Sequence, residues 1–113
     1  MHIRDYIERV HKINEEKGWN EDGRTVGDDC ALMTSEISEI LEDFRDGRAM
    51  TEVYYEDQPN GTMKPCGIPI ELADLFVRGM DFAARHDIDL EAALDEKIAF
   101  NATRPYRHGG RKL

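Results

Sequence analysis

Two acid pairs, Glu36-x-x-Glu39 and Glu71-x-x-Asp74, fall at the shoulders of apolar helical stripes rather than opposite them. That register constrains the fold more than any other feature. Residues three apart stand on one helical face, about a turn from each other. Taking about 100° per residue from Glu36, the side chains of Met33, Ile37, Ile40, Leu41 and Phe44 fall between roughly 40° and 140°. Glu36 and Asp43 lie just outside that arc, with Glu39 a little further round. Measured from Glu71, an arc of roughly 120° to 260° holds Ile70, Ala73, Phe76, Val77, Met80, Ala83 and Ala84. Asp74 flanks it, and Glu71 lies farther out beside Arg78. Two such helices side by side bring four carboxylates into one groove. Half-buried there, they repel strongly unless cations neutralise them. Hard oxygen ligands in that number suit Mg²⁺, with Mn²⁺ as a substitute. Spacing by itself decides nothing, because Asp5/Glu8, Glu39/Glu42 and Asp43/Asp46 share it among 24 acidic residues. On register, metal binding and plain solvated faces both stand.

A chain of 113 residues reads as one domain, 1–113, able to bury a modest core. Charged residues make up 35% of it, an excess that suits a helical protein whose subunits share a core. The net charge of −9 argues against a nucleic-acid polymer as partner, since basic residues gather only in the tail. Such a chain binds a polyphosphate through metal, because a bound dication reverses the local field. Cys30 and Cys66 have no metal-ligand spacing and read as free thiols of a reducing compartment. The polar start Met1-His2-Ile3-Arg4-Asp5, and the lack of a long apolar run, predict a cytoplasmic protein that does not cross a membrane.

The apolar period predicts a helix over 2–18, ended by Gly18, and a second from about Asp28 to Asp46, ended by Gly47. No helical period survives from Arg48 to Gly67. There the weak alternation of Thr51–Tyr55 and the turn signal Pro59-Asn60-Gly61 predict a short hairpin or a flap over 48–67. Pro69 suits the first turn of a third helix that ends near His86. Asp87-Ile88-Asp89 offers a break and an N-cap for a fourth, about Leu90 to Ala102, followed by a basic tail over 103–113. The expected fold is all-α, a four-helix bundle-like domain with one long connection between helices 2 and 3.

Lys97, Asn101 and Arg104 stand at i, i+4 and i+7 on the fourth helix or its exit. They read either as a solvated basic helix end that favours the macrodipole or as a phosphate clamp. Glu36-x-x-Glu39, Glu71-Leu-Ala-Asp74 and Lys97-x-x-x-Asn101-x-x-Arg104 together resemble the MazG-like all-α nucleoside triphosphate pyrophosphohydrolases, a superfamily that includes dimeric dUTPases and dCTP pyrophosphatases. The run Lys97–Gly110 and the segment Glu16-Lys17-Gly18-Trp19 are similar to small single-domain members. The resemblance implies Mg²⁺-dependent hydrolysis of nucleoside triphosphates to monophosphate and pyrophosphate, and a house-cleaning role on the nucleotide pool. It implies Glu36, Glu39, Glu71 and Asp74 as metal carboxylates and Lys97, Asn101 and Arg104 as phosphate contacts. One departure is the 31-residue spacer between Glu39 and Glu71, longer than usual for such proteins.

Within that scheme Glu39 serves as general base or as metal ligand, with Glu36 beside it in the catalytic set. Asp43 reads as a further ligand, a supporting partner or a surface acid. Trp19, the single tryptophan, either stacks on a nucleobase or covers the end of the core. Tyr54, Tyr55 and His108 are weaker candidates for ligand contacts. Short bundles of this kind expose too much apolar surface alone, so a homodimer or tetramer is expected. Two rivals remain. A di-iron bundle wants two Glu-x-x-His motifs and this chain has one, Glu8-x-x-His11. A non-catalytic helical interaction module predicts no metal dependence at all.

Overall fold

The computed structural model describes residues 2–21 and 23–106. Its elements are α1 (Ile3–Glu16), α2 (Val26–Arg45), β1 (Tyr54–Asp57), β2 (Met63–Cys66), α3 (Ile68–Arg85) and α4 (Leu90–Thr103). The chain is therefore mostly helical, and the long connection holds a two-stranded antiparallel hairpin. Of the expected tail, Arg104 closes α4, while Arg107, His108, Arg111 and Lys112 lie outside the described residues.

Local chemistry sets the element ends. α2 begins earlier than its apolar period suggests. Thr25 Oγ1 accepts from the Asp28 N–H at 3.0 Å, and Asp28 Oδ2 accepts from the Thr25 N–H at 2.9 Å, a reciprocal capping box. α1 closes with Gly18 at φ 68°, a left-handed position natural to glycine. The Trp19 N–H then donates back to the Asn14 carbonyl at 3.0 Å, which fixes where the indole leaves the helix. Asp89 caps α4 as expected, its side chain accepting from the Ala92 N–H at 3.1 Å.

The hairpin pairs Tyr54 with Cys66 and Asp57 with Met63. Its foot is anchored to the turn after α2 through the Arg48 guanidinium, which lies 3.7 Å from the Tyr54 ring centroid. Gly67 joins β2 to α3 at φ 118°, where a Cβ would collide with the Glu52 carbonyl. The Gly67 carbonyl accepts from the Glu71 N–H at 2.9 Å. Hairpin and acid-bearing helix thus meet rigidly.

α3 is the central helix, flanked by α2 and α1, and α4 meets the body chiefly through α1. There Arg4 pairs with Asp89 at 3.3 Å and with Glu91 at 3.2 Å. One expectation needs correction. α4 has no buried residue, so one copy does not close a four-helix bundle. The α2 stripe does not face the core of the single chain either: Ile37, Leu41 and Phe44 are exposed, and so are Leu72 and Phe76 on α3. Glu36 takes the inward position on α2, at 5% exposure. Buried apolar residues are few among the described ones, namely Cys66, Ile68 and Ala83. The chain exposes 8756 Å² at 13.0 kDa. A folded monomer of that mass exposes about 6300 Å². Among the described residues no helix is long and apolar enough to cross a membrane.

Candidate metal and phosphate site

The α2–α3 interface presents carboxylates to one another. Glu36 comes from the middle of α2, Glu71 from the first turn of α3 and Asp74 from the turn after it. Each offers an oxygen such that all three lie within 4.8 Å of one another. Glu36 Oε1 accepts from Arg78 Nε at 2.9 Å, while Glu36 Oε2 is buried with no hydrogen-bond partner. An unpartnered carboxylate oxygen away from water carries a full desolvation cost.

The protonation chemistry says the same. Burial above all, then a hydrogen bond to Glu39 and the charges of Glu39, Asp74 and Glu36, push the Glu71 carboxyl up to about 8. Burial and the Glu36 charge raise Asp74 too, with Arg78 and Lys64 pulling against them. Glu39 is solvent-exposed and joins the cluster through Glu71. Three of the four acids chosen from the sequence thus meet around one point, with Glu39 adjoining at Glu71. Asp43 is directed elsewhere, accepting from the Tyr54 hydroxyl at 3.5 Å to tie α2 to the hairpin. His11 pairs with Glu15 at 3.5 Å on α1, and no histidine joins the cluster among the described residues. A set of hard carboxylate oxygens with one buried oxygen unsatisfied fits a divalent cation of the Mg²⁺ class.

A cavity of about 530 Å³ opens from the cluster. Glu36, Asp74, Arg78, Leu32, Val77, Trp19, Asn14 and Asp81 are among the residues that line it. Its inner floor is a polar network that the sequence reading missed. Asp81 accepts from Asn14 at 2.8 Å, Asn20 at 3.3 Å and Arg85 at 2.9 Å. Burial opposes the Asp81 charge, but the hydrogen bonds from Asn14 and Arg85 outweigh it and hold the carboxyl below its usual range. Arg85 also reaches Asp29 at 2.6 Å. The available signal was a spacing of seven: Asp29 precedes Glu36 by seven residues, and Asp81 and Arg85 follow Asp74 and Arg78 by seven. Residues seven apart share a helical face to within about 20°.

Trp19 lies at the cavity rim, 57% exposed. Lys97, Asn101 and Arg104 do not line the cavity. They sit on exposed α4, where the Lys97 Nζ and the Arg104 guanidinium lie 5.3 Å and 5.1 Å from the Phe100 ring. One copy does not bring them to the carboxylates. Compared with family models, with curated proteins and with solved structures, the chain gives no match.

The raised Glu71 carboxyl fixes the sign of a pH effect. Its stabilising contribution is complete below its unfolded value of 4.5 and is lost as pH rises through about 8. In EDTA the melting temperature is therefore expected to fall from about pH 5 to about pH 8.5, with Glu71→Gln flattening the slope. Thermal unfolding followed by circular dichroism measures this. A flat wild-type profile would refute the cluster's electrostatics.

Proposed function

We propose that this chain is a Mg²⁺-dependent nucleoside triphosphate pyrophosphohydrolase, releasing a nucleoside monophosphate and pyrophosphate in nucleotide-pool house-cleaning. The observation that carries the reading is buried Glu36, clustered with Glu71 and Asp74 beside a nucleotide-sized cavity and left with one carboxylate oxygen, Oε2, without a partner. Glu36, Glu71 and Asp74, with Glu39 adjoining, would hold the ion. Mg²⁺ or Mn²⁺ there supplies a Lewis acid for phosphoryl oxygens and lowers the pKa of water. Glu39, exposed and hydrogen-bonded to Glu71, is placed to take the proton of the attacking water. Trp19 at the far rim offers its indole face to the base.

Pyrophosphate leaves with charge that needs cations, and Lys97, Asn101 and Arg104 are the clamp we assign. Their place on α4 requires a second copy to deliver them. The outward stripes support this association: Phe44 is 55% exposed, Phe76 58% and Ile98 62%. A homodimer, or a tetramer of two such dimers, completes both the core and the site.

The reaction is tested by incubating canonical and modified NTPs and dNTPs with Mg²⁺ and separating the products by anion exchange. Monophosphate plus pyrophosphate is expected, lost in EDTA and lowered at least about a hundred-fold in Glu71→Gln. Diphosphate plus phosphate, or no turnover by folded Mg²⁺-loaded protein, would overturn the reading. The shared site is tested by co-expressing Glu71→Gln and Lys97→Ala chains, each inactive alone. In a dimer whose sites draw on both copies, random pairing restores about a quarter of wild-type activity. No restoration would place the clamp within one chain.

A further inference from the structure

We infer that Arg78 binds a phosphoryl group of the nucleotide, an assignment that rests on the pyrophosphohydrolase reading. α2 and α3 meet through two rungs built alike, seven residues apart. The first sets Glu36 of α2 against Asp74 and Arg78 of α3, and the second sets Asp29 against Asp81 and Arg85.

The second rung shows how this chain builds a purely structural arginine. Arg85 donates Nε to Asp81 at 2.9 Å and directs Nη2 to Asp29 at 2.6 Å, and its side chain is 17% exposed. Asp81 is saturated by Asn14 and Asn20 as well. Both acids there face two guanidinium groups, those of Arg85 and Arg24, although Asp29 Oδ2 has its ion pair without a hydrogen bond.

The first rung is left open. Arg78 donates Nε to Glu36 at 2.9 Å, but its two Nη groups donate to no described residue. Asp74 receives no hydrogen bond from a described residue, and the second oxygen of Glu36 has none either. Twice as exposed as Arg85, the Arg78 side chain stands at 35% and lines the cavity together with Glu36 and Asp74. The Nε bond to Glu36 holds the guanidinium plane while its fork stays available. A planar fork of charged donors matches phosphate oxygens. The acids that would repel a phosphate at this place are the ones a divalent cation neutralises, so metal and Arg78 together make the end of the cavity anion-receptive.

The rival account makes Arg78 only the counter-ion of buried Glu36, and the two accounts predict opposite results. The probes are dAMP, dCMP, dGMP and dTMP and the four matching deoxynucleosides, titrated in Mg²⁺ against the fluorescence of Trp19, the single tryptophan. Wild-type protein is expected to bind at least one monophosphate more tightly than its nucleoside. Arg78→Met should weaken the monophosphate about ten- to hundred-fold, leave the nucleoside unchanged, and raise KM for the best triphosphate. Arg78→Lys should recover only part of the loss. Mg²⁺ affinity in Arg78→Met should hold or rise, whereas Arg85→Met should lower the melting temperature with far less effect in Arg78→Met.

The inference is overturned if no monophosphate binds the wild type, if the loss is shared equally by the nucleoside, or if Arg78→Met binds monophosphate normally. Normal wild-type turnover with an unchanged KM in Arg78→Met sinks this assignment alone. Absent wild-type turnover sinks the enzymatic reading beneath it.

Discussion

Charge repulsion across the α2–α3 interface is the constraint on which the rest depends. Glu36 is buried with one oxygen held by Arg78 and the other by nothing, and Glu71 and Asp74 converge on the same spot. A chain gains nothing in stability from that arrangement. Burying a carboxyl costs free energy unless it is paired, and pairing one acid with further acids forces a proton onto the set, which is why the Glu71 carboxyl rises to about 8. Local departures from satisfied chemistry of this kind mark sites that something else completes.

The same interface contains its own comparison. Seven residues away, Asp29 and Asp81 are each ion-paired with both Arg85 and Arg24, and Asn14 and Asn20 tie Asp81 to α1 and the loop after it. That network holds the inner end of the cavity and fixes α1 to α3. The two rungs differ in how many guanidinium groups face their acids, Arg78 alone in the first and both Arg24 and Arg85 in the second. Function is read from that difference. The apolar stripes lie outside that interface, with Ile37, Leu41 and Phe44 exposed.

Much of this was legible in the residues. Apolar period located the first three helices. Pro59-Asn60-Gly61 marked the hairpin turn, where the Gly61 N–H now donates to the Gln58 carbonyl at 3.0 Å. Asp89 announced its cap. The acid pairs were recognisable because their register placed them at the shoulder of a stripe. Direction was not legible: a wheel shows that Ile37, Leu41 and Phe44 share a face, not whether that face meets its own chain or another. Asp29 and Asp81 escaped notice because acids are abundant here and a partner seven residues away is seen only when both helices are aligned. The position of α4 depends on tertiary contacts with Arg4, which no local pattern encodes.

The most direct test of the account is calorimetric titration of the metal-free protein with Mn²⁺ at pH 7, in two buffers of different ionisation enthalpy. The account predicts saturable binding with release of about one proton per ion, the proton that Glu71 shares with Glu39, and loss of both in Glu71→Gln. Folded protein that takes up no ion at millimolar concentration, or binds without releasing a proton, would contradict it.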